Sequence, residues 1–329
     1  MRLHSFATLQ PKTLKEALSF KNKYKGNAIL KAGGTALIPE MRLGLKTPGC
    51  VILLDSIEEI RGIEEKADGL HIGAMTSLQE IKKAKLPVHP SGAVAKGLGP
   101  LIEAIEKVSA PALHYQSTIG GNLCQDTRCI YYDQSEFWRA IKGPCFKQGG
   151  SKCHAVPASK TCHSVYQGDL APVLICMDAR VNVASLKKNT VLKIADLFSG
   201  NGISPFKLQP NAIVTQIIIP PPGTKKIAYE KLSERGALDY PLVGVAAFVK
   251  MRRGFVEDHA FVVTSMGSAP LVVADPLLNG RRLDEGFISS AAEAVFKKAK
   301  PVANTSAAPA YRRQMVKTLV GNVLRRLSS

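Results

Sequence analysis

Cys129, Cys145, Cys153 and Cys162 stand in one polar, loop-like stretch that begins just after a glycine-rich turn, Thr118-Ile119-Gly120-Gly121-Asn122. Soft thiolates grouped in this way suit a metal ion or an iron–sulfur cluster in a compartment that keeps thiols reduced. A glycine turn lets backbone N–H groups come close to a phosphate or a flavin. A metal centre beside an organic cofactor implies electron transfer.

The chain has seven cysteines, of which Cys50 and Cys176 border or occupy apolar runs and read as small core residues. The others lie between Cys124 and Cys162. No Cys-x-x-Cys knuckle of a zinc ribbon occurs, nor a compact two-cluster ferredoxin run. A disulfide framework conflicts with a reducing compartment. Widely spaced loop thiolates still suit a [4Fe–4S] cube, so iron–sulfur leads and zinc trails. His154 and His163 each follow a candidate ligand; either could replace a cysteine, but surface imidazole in a polar loop is the plainer description.

A second glycine turn, Lys31-Ala32-Gly33-Gly34-Thr35-Ala36-Leu37-Ile38, follows the short apolar run Ala28-Ile29-Leu30. Each turn by itself is an ordinary turn. Together, far apart in the chain, they suit one extended ligand held by two loops, with Thr35 offering a hydroxyl. The spacing Gly-x-Gly-x-x-Gly is absent from both, against a Rossmann site. Asp169, in Gly168-Asp169-Leu170-Ala171-Pro172, is placed at a strand entry to accept hydrogen bonds from ribose hydroxyls, or equally to cap a turn. Lys231 offers a cation to the electron-rich edge of a flavin, against the ordinary role of a solvated lysine. No Gly-x-Ser-x-Gly elbow suggests nucleophilic hydrolysis.

The elements that must position these residues fall into three regions, expected at 1–56, 57–222 and 223–329. The first has an amphipathic helix over 13–21, with Thr13 as N-cap and Glu16 three residues on, then Ala28–Leu30 and Val51–Leu54 as the strands of a βαβ-like unit. The second has helices after Thr76-Ser77 and over 100–108, the irregular cysteine stretch at about 124–167, an apolar strand-like run Val173-Leu174-Ile175-Cys176, and strands at 181–183 and 213–219. About forty structureless residues in a compact domain suggest a functional stretch that a metal organises. Pro220-Pro221-Pro222-Gly223 is the clearest linker. Beyond it, strands at 243–249 and 260–264 precede helical patterns at 289–299 and 311–327, the order of an α+β domain.

The chain of 329 residues, 45% apolar and 21% charged, is an ordinary globular one. It has no apolar run of membrane-spanning length and no signal-peptide pattern, so a cytoplasmic setting is expected. Its formal net charge of +18 is spread along the chain, with only 6% aromatics. That argues against nucleic-acid binding and leaves a solvated basic surface, or the docking of an acidic partner.

On these residues the chain resembles the FAD subunits of the molybdenum hydroxylases, the xanthine and carbon monoxide dehydrogenase group. Lys31 to Pro39 is similar to their first flavin loop, Ser117 to Asn122 to the second, and Gly168 to Ala179 to the segment that follows. Lys231 to Val245, with Arg235 and Asp239, and Tyr311-Arg312-Arg313 resemble their C-terminal domain. The resemblance implies an α+β chain, with an FAD-binding fold of this flavoprotein (PCMH-like) type in two subdomains plus a C-terminal α+β domain. It implies an FAD site at Lys31, Ala32, Gly33, Gly34, Thr35, Ala36, Leu37 and Ile38, then Thr118, Ile119, Gly120, Gly121 and Asn122, then Asp169 and Lys231, with a contact near Val108. Ala36 departs from the Asp or His frequent in relatives. The gap from Asn122 to Asp169 is far longer than in ordinary members, and its sequence resembles the loop of the 4-hydroxybenzoyl-CoA reductase FAD subunit. That resemblance implies a [4Fe–4S] cluster on Cys129, Cys145, Cys153 and Cys162, and Cys124 in the wall of the FAD site. It also implies a molybdopterin-binding large subunit, a [2Fe–2S] small subunit, a dimer of heterotrimers and an acidic ferredoxin as external carrier. No residue of this chain is then expected to do bond chemistry on substrate. The rivals are an FAD subunit of xanthine or aldehyde type whose loop binds zinc or nothing, and a basic zinc-binding nucleic-acid module.

Overall fold

A computed structural model describes residues 3–84, 98–221 and 223–328, so Pro222, inside the expected linker, lies outside the described residues. β1 (Ala7–Leu9), β2 (Ala28–Lys31) and β3 (Cys50–Leu53) form a parallel sheet in the order β1-β3-β2. α1 (Leu14–Tyr24) and α2 (Leu37–Arg42) complete this unit. α1 opens on the expected cap: Thr13 Oγ1 accepts from Glu16 N at 3.2 Å, and the Glu16 carboxylate accepts from Lys12 N at 2.8 Å. β1 is only three residues long, too short to show a period in the sequence.

The second sheet is antiparallel, with β4 (Ile63–Lys66), β5 (Gly69–Gly73), β6 (Arg180–Ala184), β7 (Asn189–Lys193) and β8 (Ile213–Ile219) in the order β4-β5-β8-β6-β7. Among the described residues, the helices between β5 and β6 are α3 (Leu78–Lys83), α4 (Gly99–Glu106), α5 (Ile119–Leu123), α6 (Glu136–Lys142) and α7 (Leu170–Cys176). Leu78, Leu101, Ile105, Ile119 and Leu174 share one core with Leu70 and Ile72 of the sheet. The run Val173–Cys176, expected as strand, is the helix α7. It is buried on nearly all sides, and a short, uniformly apolar run carries no period that separates helix from strand. The cysteine stretch, expected without regular structure, holds α6.

The third sheet, β9 (Lys225–Leu232), β10 (Val243–Arg252), β11 (Phe255–Thr264) and β12 (Leu271–Val273), runs β12-β11-β10-β9 and is antiparallel. α8 (Glu285–Lys298) and α9 (Pro309–Ser328) cover one face. The pleat divides the strand between two cores. Val243, Val245, Ala247 and Val249 pack with the helices, while Ala246 and Phe248 join the core that contains α7. The C-terminal unit is therefore fused to the second one by apolar burial on both faces of its sheet. No helix among the described residues is long and apolar enough to cross a membrane.

Candidate functional site

The two glycine turns meet. The first leaves β2 and the second enters α5, and a Cβ on Gly33 would stand 1.7 Å from the carbonyl oxygen of Gln116. Only a residue without a side chain allows the two backbones to lie so close. Ser117 Oγ donates to Thr35 Oγ1 at 3.3 Å across the junction. The second turn is stitched to the chain leading into α3: Leu78 N, at the start of that helix, donates to Ser117 O at 2.8 Å, Ile119 N to Thr76 O at 3.1 Å and Gly120 N to Ala74 O at 2.9 Å. Thr118 Oγ1 caps α5 by accepting from Gly121 N at 3.0 Å.

Between the turns opens a cavity of about 910 Å3, within the range of about 300–1,000 Å3 typical of cofactor sites. Ala32 to Leu37 of the first turn line it, as do Thr118, Gly120, Gly121 and Asn122 of the second, with Asp169, Val108 and Cys124. Lys31 and Ile38 flank the first turn without lining the cavity, and the Lys31 ammonium pairs with Asp55 at 3.0 Å. Ile119 points into the core. Burial pushes the Cys124 thiol up to about 12, so it is an inert wall.

Asp169 immediately precedes α7, yet its side chain makes no cap. It accepts instead from Tyr229 Oη at 2.8 Å, and Lys231 Nζ lies 3.2 Å away. Lys231 does not line the cavity: its ammonium also donates to Lys107 O at 2.7 Å and Asp239 O at 2.9 Å. It acts behind Asp169, holding the carboxylate to the third sheet. Lining residues that the sequence did not single out include Asp126, Arg128 and Tyr240, with the Arg128 guanidinium 4.1 Å from the Tyr240 ring centroid. Arg128 directly precedes Cys129, and the sequence signal for it was that adjacency.

Cys129, Cys145, Cys153 and Cys162 are all buried, each no more than 9% exposed. Burial pushes the Cys129 thiol up to about 12, and the nearby Asp133, Cys162 and Cys153 add to the push. Among the described residues, however, no three His, Cys, Asp or Glu side chains converge tightly enough to hold one metal ion. The stretch is anchored by Lys147, whose buried ammonium donates to Asp126 Oδ1 at 2.7 Å, Thr127 Oγ1 at 2.6 Å and Gly202 O at 3.1 Å. Burial pushes Asp126 upward, but Lys147 and Lys46 outweigh it and hold the carboxyl below its ordinary value. The cavity wall and the cysteine stretch thus share one buried ion-pair cluster.

Residues 4–222 match the family described as the FAD binding domain in molybdopterin dehydrogenase, and 227–327 match the CO dehydrogenase flavoprotein C-terminal domain. The chain is 25% identical to the glyceraldehyde dehydrogenase medium chain of Sulfolobus acidocaldarius, over 95% of each. It is 29% identical to the aldehyde oxidoreductase FAD-binding subunit of Escherichia coli, over 67% of this chain and 70% of that one. It is 24% identical to the carbon monoxide dehydrogenase medium chain of Afipia carboxidovorans, over 98% of this chain and 96% of that one. A solved Cu,Mo-CO dehydrogenase chain superposes with a TM-score of 0.79 at 23% identity, covering 100% of this chain and 99% of that one.

Proposed function

Because the chain belongs to the FAD-binding medium subunits of the molybdenum hydroxylases, a family of oxidoreductase subunits, we propose that it relays electrons through FAD within a larger complex. The observation that carries this reading is the meeting of two glycine turns, backbone to backbone, around one cavity. Relatives named as subunits of an aldehyde oxidoreductase and a carbon monoxide dehydrogenase favour a dehydrogenase of xanthine, aldehyde or CO type. Its partners would be a molybdopterin-binding large subunit and a [2Fe–2S] small subunit in the cytoplasm, with substrate chemistry on the large one. Bound FAD supplies exchange of one or two electrons. The residues of this chain hold it: the glycine turns admit its polar body, and Asp169, fixed by Tyr229 and Lys231, stands at the wall as acceptor.

A finer reading adds a [4Fe–4S] cluster on Cys129, Cys145, Cys153 and Cys162, as in the 4-hydroxybenzoyl-CoA reductase type, assembled as a dimer of heterotrimers. What favours it is the burial of all four thiols on one stretch. The lack of a single-ion site among the described residues bears on zinc more than on a cube, whose corner irons hold their thiolates farther apart than four ligands around one ion. Bound there, the cluster supplies one-electron exchange with an external carrier such as ferredoxin.

Anaerobic purification with iron, sulfide, zinc and flavin analysis tests both levels. About one FAD and about four irons per chain, with a reduced-cluster EPR signal lost in Cys145→Ser, are expected. Flavin without iron leaves the xanthine or aldehyde type alone. Absence of flavin overturns the reading.

A further inference from the structure

On α1, Ala17 and Leu18 are buried in one core with Ile52 and Leu54. Lys21, four and three residues further on, shares their face of the helix and lines the cavity between the glycine turns. Three other cations line that cavity, and each already meets an acid. Lys46 pairs with Asp126 at 2.6 Å, Arg128 with Asp133 at 3.2 Å and Arg235 with Asp239 at 3.5 Å. Lys21 has neither an ion pair nor a hydrogen bond among the described residues. Burial lowers its pKa, and no neighbouring acid opposes the shift. An ammonium withdrawn from water without a counter-charge costs stability, so its place beside a cavity points to a ligand that brings one.

The wall beside Lys21 suits a flat ring. Asn22, next to it on α1, accepts through Oδ1 from Asn211 Nδ2 at 3.5 Å, which ties the helix to the segment 203–214. From that segment Phe206, Leu208, Pro210 and Ile213 line the cavity. We propose that Lys21 is a binding residue for the adenylate half of FAD, its ammonium meeting a phosphate oxygen and the 203–214 wall taking the adenine. The inference rests on the reading of the cavity as an FAD site. The choice of half follows from charge. The ring system of oxidised flavin is neutral and would leave the ammonium uncompensated, whereas the diphosphate is anionic. The glycine turns offer that diphosphate N–H dipoles but no full charge, and Lys31 is held away by Asp55. Lys21 supplies the charge from outside both turns, through a charge-assisted hydrogen bond about twice as strong as a neutral one.

The test uses the full chain freed of flavin, with FAD rebinding followed by the quenching of flavin fluorescence. Riboflavin, which has no phosphate, is the second probe. Lys21→Met keeps the length of the side chain and removes its charge, and Lys21→Arg keeps the charge. FAD affinity is expected to fall by about tenfold or more in Lys21→Met and to be largely kept in Lys21→Arg, while riboflavin affinity is the same in all three chains. Thermal melts separate binding from a structural role. Without flavin, Lys21→Met should melt no lower than wild type, because it loses an uncompensated charge; with FAD, its gain in Tm should be smaller. Undiminished FAD affinity in Lys21→Met overturns the proposal. So does an equal loss of riboflavin affinity, which would put Lys21 at the flavin ring, or a lower Tm of the flavin-free variant. A wild-type chain that binds no FAD overturns the flavin reading itself, whereas tight FAD binding by wild type and Lys21→Met alike overturns the role of Lys21 alone.

Discussion

Asp169 shows how one side chain can be visible in a sequence while its work is not. An acid between a glycine and an apolar run marks a special position, but its partners, Tyr229 and Lys231, arrive from a strand some sixty residues later. In the fold, burial pushes its carboxyl up to about 6, and Lys231, Tyr229 and Lys107 pull back without cancelling that push. A carboxyl raised above its ordinary 3.8 binds its proton more readily folded than unfolded, so its contribution to stability is largest at low pH. That contribution declines as pH rises between the two values and is level above about 6. In Asp169→Asn the group no longer titrates. The wild-type Tm minus that of the variant is therefore expected to decline from pH 4 to pH 6 and flatten beyond, which thermal melts across that window would check. A difference that rises over the same window would mean that Lys231 outweighs burial.

Short elements depend on tertiary anchors, and α6 depends on Arg139. Arg139→Ala leaves the carbonyls of Leu43, Gly44 and Gln134 without their charged donor, a loss of about 2–4 kcal/mol. Because α6 is an excursion from the main cores, the expected result is local: faster amide exchange through α6 and around Gly44, with the third sheet unaffected. Equal acceleration in β10 would show that the anchor serves the whole fold. This helix also marks the limit of what the sequence disclosed. Elements with their own caps or long periods were legible, as with Thr13 and Glu16 at the start of α1, Thr76-Ser77 before α3, and the strands β10 and β11. α6 has a Ser135 cap, accepting from Trp138 N at 3.3 Å, and a Gly143 stop. With Phe137 and Ile141 facing solvent, however, it shows no core-facing period. The cavity was legible in the same partial way: the glycine turns announced themselves, while Arg128 and Tyr240 were brought together only by the approach of the third sheet.

The three units behave as one body where the C-terminal helix grips the cysteine stretch. Arg312 of α9 is fully buried and faces acceptors rather than a counter-ion: Leu242 O at 3.2 Å, Val302 O and Asn304 Oδ1 at 3.1 Å, and Ser265 O. Burial lowers its pKa to about 10, which leaves it charged at neutral pH. Asn304, held by Arg312, in turn holds both flanks of the stretch: its backbone carbonyl accepts from Ile130 N at 2.9 Å and its side-chain amide donates to His163 O at 2.5 Å. Ile130 follows Cys129 and His163 follows Cys162, so one asparagine ties the residues beside two cysteines to a helix near the chain's end. Asn304→Ala removes the amide donor to His163 and the acceptor to Arg312, about 1–3 kcal/mol of local stability. A local opening made easier by 1.4 kcal/mol is about tenfold more populated. In metal-free chain, labelling of Cys129 and Cys162 is therefore expected to quicken by about tenfold, while Cys176, in the core around α7, keeps its rate. Arg312→Gln should produce the same labelling pattern together with a global loss of about 3 kcal/mol or more, because its carbonyl cage is then left short of donors. Slow labelling at Cys129 and Cys162 in both variants would mean that the cysteine stretch is ordered by its own contacts, Lys147 foremost, and that the C-terminal unit only shields it.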